Sequence, residues 1–129
     1  MTDYTDDAAG KDRLVRDLMD TFEKKDASLL APFFAEDIEF ENYGDGPLKG
    51  RDNLVGMWRN VFGMFENVKF ETINQAVDGD IVIAEQYHRL GLPGRHLAPI
   101  RNMAVYEVKN GKITAWRDYT NADYSRTLL

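Results

Sequence analysis

Residues 105–120, VYEVKNGKITAWRDYT, decide the fold because they read as two β-strands joined by a tight turn. Asn110-Gly111 tolerates the positive φ angles of a hairpin turn, so the flanking runs are expected to pair antiparallel. Working back along the chain, similar β-like runs occupy 68–77, 80–90 and 97–109, separated by Asp78-Gly79 and Leu92-Pro93-Gly94. The second half of the sequence therefore predicts an antiparallel meander of four strands.

Apolar residues at helical spacing precede the meander. A first helix is predicted from Asp12 to Phe22, and another from Asp52 to Phe65. Between them, Asp26 is expected to begin a short helix running to Phe34, which Pro32 would disturb. A brief strand is predicted at 38–42 and a last short helix at 122–128. Helices followed by a long meander indicate an α+β protein, in which helices cover one face of a curved sheet and leave a hollow beneath them.

The length and the charge limit the possible partners. A chain of 129 residues fits one domain, which we expect at 11–129 after a flexible acidic tail at 1–10. A formal charge of −6 disfavours nucleic acid and anionic membranes, so a small, mostly apolar molecule is the expected partner. Without cysteine the chain has no disulfides or thiolate zinc ligands, and no cofactor or metal is expected. The sequence has no apolar stretch long enough for a membrane span, and its N-terminus is acidic where a secretory signal would be basic. The expected location is therefore the cytoplasm.

Asp118 is the first candidate for chemistry, since it lies among aromatic and apolar residues in the last predicted strand. A carboxylate that faces inward loses water, and its pKa rises unless donors or cations hold its charge. In the run 80–90, alternation places Gln86 and His88 on the less charged face, whereas in 112–120 alternation does not decide which face is inward. Asp118 is thus either tethered structurally or used as an acid or base.

Three segments carry a resemblance to a known family: 33–37 (FFAED), 50–52 (GRD) and 111–119 (GKITAWRDY). Together with the order of elements, they resemble the NTF2-like superfamily, and within it the limonene-1,2-epoxide hydrolase and SnoaL-like branch. The resemblance covers nearly the whole chain after the acidic tail. It implies a cone formed by a curved, mainly antiparallel sheet and about three helices, and commonly a homodimer through the outer sheet face. We expect ion pairs among Glu85, Arg89 and Arg101 on that face.

The resemblance also implies roles for individual residues. In limonene epoxide hydrolases, an Asp of the Trp-Arg-Asp-Tyr segment deprotonates a water that a Tyr and an Asn of the first strand hold. A second Asp protonates the epoxide, and an Arg joins the two acids. By position, Asp118 matches the base and Asn42 the water-holding amide. Phe40 stands in place of the Tyr, Gln86 in place of the Arg, and His88 in place of the second Asp.

Epoxide opening needs a base for water and a proton for the leaving oxygen. His88 is expected to donate that proton, helped by an anionic Asp118 nearby that favours its charged form, while Gln86 orients it. The same pair can serve an isomerase, a dehydratase or a polyketide-type cyclase, and a non-catalytic binding or dimerisation module is a third hypothesis. The residues expected to contact the ligand are Phe40, Trp58, Leu90, Ile100, Asn102 and Trp116.

Overall fold

A computed structural model describes residues 3–129. Within that range the chain forms three helices and six strands. The helices are α1 (Ala8–Thr21), α2 (Arg51–Met64) and α3 (Ala122–Leu128). The strands are β1 (Phe34–Asn42), β2 (Leu48–Lys49), β3 (Asn67–Asp78), β4 (Ile81–Gly91), β5 (Ala98–Lys109) and β6 (Lys112–Tyr119).

The strands form one curved, unclosed sheet in the order β2-β1-β6-β5-β4-β3. All neighbouring strands are antiparallel except β1 and β6, which run parallel. The four-stranded meander is confirmed, with ends within a residue or so of those predicted. The short β2, which extends the sheet beyond β1, had not been predicted. The whole arrangement confirms the predicted α+β, NTF2-like cone.

Helix α1 begins at Ala8, inside the segment expected to be a tail. Its first turn is capped by Asp7, whose side chain accepts a hydrogen bond of 2.8 Å from the Gly10 backbone N–H. A side chain at Gly10 would collide with the backbone oxygen of Thr5, so the chain before the helix packs closely against it. Tyr4 also donates to Asp17, at 2.6 Å. The boundary predicted at residue 10 is therefore too late for the helix, while flexibility of 1–10 stays a prediction.

The short helix predicted after Asp26 is replaced by two 3-10 turns, Ala27–Leu29 and Ala31–Phe33. Asp26 does cap the first of them, accepting a hydrogen bond of 3.0 Å from the Ser28 backbone. Pro32 has no N–H to donate to a preceding carbonyl, so an α-helix cannot continue through it. The chain enters β1 directly afterwards, four residues before the predicted strand start.

A bulge in β6 explains why simple alternation did not assign its faces. Val108 pairs with Ile113, but Glu107 pairs with Ala115, which leaves Thr114 as an extra residue. Ile113 and Trp116 are both fully buried even though they are three positions apart. Beyond the bulge, Trp116 and Asp118 face inward together.

The core lies between the inner sheet face and the helices. Helix α1 packs on β3, α2 packs on β1, and α3 contacts β5. Phe22 stacks on Phe70 with ring centroids 4.2 Å apart, and Trp58 stacks on Trp116 at 5.6 Å. Phe22 and Trp116 are fully buried, whereas Trp58 and Phe70 also line an open cavity. Among residues 3–129, the structure contains no helix long and apolar enough to cross a membrane.

Candidate active site

The open end of the cone is a cavity of about 640 Å³ between the sheet, α2 and α3. Four of the six residues predicted to contact a ligand line it: Phe40, Trp58, Leu90 and Ile100. The polar groups on its wall include Asn42, His88 and Asp118. A largely apolar hollow with a few convergent polar groups is the usual form of a small-molecule site.

Asp118 is held at the cavity wall by two neighbouring side chains. It lies opposite Ala104 of β5 and Asn42 of β1, and its residue is 6% exposed. Its Oδ1 accepts one hydrogen bond of 2.8 Å from Asn102 Nδ2 and another of 2.7 Å from Trp116 Nε1. No hydrogen bond from the described residues reaches its Oδ2. One carboxylate oxygen is thus fixed, and the other is available to a guest.

The charge of Asp118 is poorly compensated. None of the ion pairs between described residues includes it. Burial therefore raises its pKa to about 6, although the hydrogen bonds from Asn102 and Trp116 oppose the rise. A carboxylate with this pKa is mostly ionised at neutral pH and takes up a proton more readily than an exposed aspartate does.

His88 lies on the same inner face as Asp118, 8% exposed, with its ring stacked on Phe70 at 3.9 Å. Burial lowers the pKa of His88 to about 3, so the imidazole is neutral at physiological pH. The expectation that Asp118 keeps His88 charged is therefore wrong, because the ring is buried and the loss of water disfavours its charged form. Asn102 Nδ2 lies between the two groups, 2.8 Å from Asp118 and 3.4 Å from His88 Nε2.

Gln86 is fully buried and contacts His88, the residue it was predicted to orient. Its Nε2 donates to the Tyr106 hydroxyl at 3.1 Å, and Tyr106 in turn donates to the Met19 sulfur at 3.8 Å. Gln86 Oε1 is consequently the acceptor that faces His88 Nε2 at 2.8 Å. This assigns the proton of the neutral ring to Nε2. Because His88 Nε2 is then a donor, it cannot accept from Asn102 Nδ2, and the amide donates its hydrogen bond to Asp118 instead.

Several buried polar atoms have no partner among residues 3–129. Two of them belong to cavity-lining residues, the Oδ1 of Asn42 and the Nε1 of Trp58, and a third is the Oδ1 of Asn102. Buried groups of this kind are normally satisfied by water or ligand. Asn42 lies beside Asp118 in the register of β1 and β6, so one water can reach both. That Asn42 positions this water stays a prediction.

Trp116 and Asn102, both predicted to contact the ligand, lie behind the cavity wall. Each gives its N–H to Asp118 instead. Sequence reasoning missed Tyr106 and the part of α3 that lines the cavity mouth, including Ser125 and Arg126. Tyr106 lies four residues after Asn102 in β5, so strand alternation could have placed it on the same inner face. The sequence carries no signal for where α3 packs.

Comparisons with known proteins agree with this architecture. Residues 15–116 match the family model of the SnoaL-like domain, which stops two residues before Asp118. A structure of an LEH-like epoxide hydrolase from M. tuberculosis is 22% identical with a TM-score of 0.83, over 95% of this chain and 90% of that one.

Two more structures share the fold at low identity. One, from Catenulispora acidiphila, is a hypothetical protein with a ketosteroid isomerase-like fold in complex with trimethylamine. It is 19% identical with a TM-score of 0.79, over 89% of this chain and 90% of that one. The other, an NTF2-like protein of unknown function from Burkholderia pseudomallei, is 15% identical with a TM-score of 0.80, over 92% of this chain and 95% of that one. The family match spans most of the sequence, and the chain belongs to the SnoaL-like domain family, with the NTF2-like fold.

Proposed function

We propose that this protein is an enzyme that acts on a small, mostly apolar molecule by acid–base catalysis without a cofactor, with Asp118 as the base. The observation that carries the proposal is the asymmetry of Asp118. Two N–H donors hold one oxygen, and the other oxygen has no partner among the described residues and belongs to a side chain on the cavity wall. A pKa near 6 suits a base that works at neutral pH.

The favoured reaction is epoxide hydrolysis. Asp118 takes a proton from a water that Asn42 orients, the water oxygen bonds to an epoxide carbon, and the carbon–oxygen bond of the ring breaks. Neutral His88 is not a charged acid, in keeping with its depressed pKa, and its one N–H, on Nε2, already donates to Gln86 Oε1, so it does not donate to the departing oxygen. Water in the open cavity then protonates the alkoxide, and Asp118 releases its proton to solvent. The epoxide hydrolase from M. tuberculosis, which shares the fold, supports this choice.

Isomerisation next to a carbonyl is the second candidate, and the unpartnered indole N–H of Trp58, a cavity-lining residue, favours it. A single carboxylate can remove a proton from one carbon and return it to another, while neutral N–H donors stabilise the enolate oxygen. Asp118, with one free oxygen, and the unpartnered Nε1–H of Trp58 meet those needs without a charged acid. Dehydration and polyketide-type cyclisation would use the same groups.

The deciding experiment compares substrates and variants together. Small epoxides and enolisable ketones are incubated in oxygen-18 water, and products are analysed by mass spectrometry. Epoxide hydrolysis places solvent oxygen in a diol, whereas isomerisation exchanges carbon-bound hydrogen with solvent. Asp118→Asn should fold and lose turnover by at least about a hundredfold. Asp78→Asn is the matched control and should keep full activity, since Asp78 is an exposed residue at the end of β3 and does not line the cavity.

A third outcome of that experiment corresponds to a binding module. If wild-type protein binds small apolar ligands but converts none of the substrates, and Asp118→Asn changes only binding, the proposal of catalysis fails.

We also propose that the protein is a homodimer through the outer sheet face. Ile83, Met103 and Tyr119 are 42%, 44% and 46% exposed on that face. Met103 lies opposite Tyr119 in the β5–β6 register, so part of this apolar surface is continuous. Ion pairs flank it, but Arg89 pairs with Glu71 instead of Glu85, which accepts a hydrogen bond from Asn74. Exposed apolar patches rimmed by charge are typical of protein interfaces.

A further inference from the structure

The cavity has a buried anion and, among the described residues that line it, no buried cation to balance it. Asp118 is tied only to neutral donors, Asn102 and Trp116, and it forms no ion pair with any residue in 3–129. Gln86 and His88, the inner-face residues of the adjoining part of β4, are neutral. A buried carboxylate without a cationic partner loses hydration that nothing replaces, and a positively charged guest would restore the balance.

Aromatic rings form part of the wall around this anion. Phe40, Trp58 and Phe65 line the cavity, and so does Phe70, although its two faces are already covered by Phe22 and His88. The faces of such rings carry partial negative charge and attract organic cations, most strongly where water is excluded. The unpartnered Oδ1 of Asn42 adds a further hydrogen-bond acceptor at the wall, against the single unpartnered donor of Trp58.

From this combination we infer that the cavity is a binding site for small apolar ammonium ions, with Asp118 as their counter-ion. The guest would be a tertiary or quaternary amine whose alkyl groups contact the aromatic wall. The inference goes beyond the proposed function: it uses the same cavity but requires no turnover, and such an ion would compete with a neutral substrate.

The other titratable or charged groups around Asp118 do not supply the missing charge. His88 is neutral above about pH 3. The pKa of Tyr106 lies well above its usual value because the phenol is buried close to Asp118, so the phenol is also neutral. Asp45 and Arg126 line the mouth, and Arg126 is paired there with Asp123. Between pH 4.5 and 7.5, Asp118 is therefore the group whose charge changes at the inner wall.

Choline and 3,3-dimethylbutan-1-ol form the test pair, because they have the same shape and the same hydroxyl group and differ in one charge. Isothermal titration calorimetry at pH 7.5 and constant ionic strength should show choline binding at least tenfold more tightly. Asp118→Asn should abolish that preference. Asp78→Asn removes the same charge from the surface and should retain the preference, which separates a specific counter-ion from general attraction to an acidic protein.

A pH series on the unmodified protein keeps the test valid if Asp118→Asn does not fold. Choline keeps its charge at every pH, so its affinity should fall from pH 7.5 to 4.5, by up to about 30-fold, as Asp118, with a pKa of about 6, becomes protonated. The affinity of the alcohol should stay constant. Equal affinities for the two ligands, no measurable choline binding, or a preference for choline that ignores pH would overturn the inference.

The two proposals fail separately. If the protein hydrolyses epoxides but binds choline and the neutral alcohol equally well, the proposed function stands and the ammonium site is refuted. If the protein binds choline more tightly than the alcohol but converts no substrate, the ammonium site stands and the proposed function is refuted.

Discussion

Asn102 donates a hydrogen bond of 2.8 Å to Oδ1 of Asp118, the same oxygen that the Trp116 indole reaches at 2.7 Å. Both donors lie behind the carboxylate, so they fix its orientation without blocking Oδ2. They also favour the ionised form and offset part of the rise in pKa caused by burial. The Asn102 amide on β5 and the Trp116 indole on β6 therefore both stabilise Asp118 in this orientation.

Removing the Asn102 amide should move the pH dependence of catalysis. With Asp118 as base, kcat/KM should fall as pH falls through about 6, because the protonated acid cannot accept a proton. Asn102→Leu removes a donor that lowers the pKa of Asp118, so the acid limb should shift upward by roughly one pH unit. The profile is measured from pH 4.5 to 8.5 with the substrate that the panel identifies. A lower rate with an unmoved limb would mean that Asn102 only supports packing.

His88→Gln tests whether a charged imidazole takes part. Because burial keeps His88 neutral, a neutral hydrogen-bonding side chain should retain kcat/KM within about tenfold, with the acid limb unchanged. His96→Gln, which changes an exposed histidine, is the matched control and should behave as wild type. A charged general acid would leave a different pattern: loss of roughly a hundredfold or more in the variant, and a second limb between pH 6 and 8 in the wild type.

The burial of Asp118 should cost stability at neutral pH. Its pKa is higher in the folded chain, about 6, than the ordinary value of 3.8, so the folded state holds the proton more tightly. Stability linked to this group is therefore greatest at low pH and is lost as pH rises from about 4 to 6. Asp118→Asn should raise the free energy of unfolding at pH 7.5 by roughly 1 to 3 kcal/mol.

Urea denaturation of wild type and Asp118→Asn at two pH values checks this linkage. The advantage of the variant should narrow by about 2 kcal/mol between pH 7.5 and 4.5. Other carboxylates titrate in both proteins and cancel in the difference. A difference that does not depend on pH would contradict the raised pKa of Asp118, whatever its sign.

The sequence predicts the parts of the fold that depend on local chemistry. Asn110-Gly111 forms the last hairpin turn, as predicted, and Asp78-Gly79 marks the first to within one residue, since β3 ends at Asp78 and Gly79-Asp80 form the turn. Alternation places Gln86 and His88 together on the inner face. The extra residue Thr114 breaks alternation in β6, and a bulge of this kind depends on pairing with β5 rather than on local pattern.

The charge state of His88 could not be predicted for a similar reason. It follows from the depth of burial and from the stack on Phe70 of another strand, which are tertiary contacts. The sequence indicates that the Asp118 carboxylate lies near His88, but it does not show how much hydration both side chains lose on folding. The bridging position of Asn102 between β4 and β6 likewise depends on the register of three strands.

The final prediction concerns the outer sheet face. Ile83→Lys places a charge within the apolar surface that includes Met103 and Tyr119, and a buried unpaired charge at an interface costs several kcal/mol. Sedimentation equilibrium should then show a dimer for wild type and a monomer for the variant. Leu29→Lys is the matched control, since Leu29 is 40% exposed against 42% for Ile83 and lies on a 3-10 turn away from the sheet. It should remain dimeric, and a wild-type protein that sediments as a monomer would refute the proposed interface.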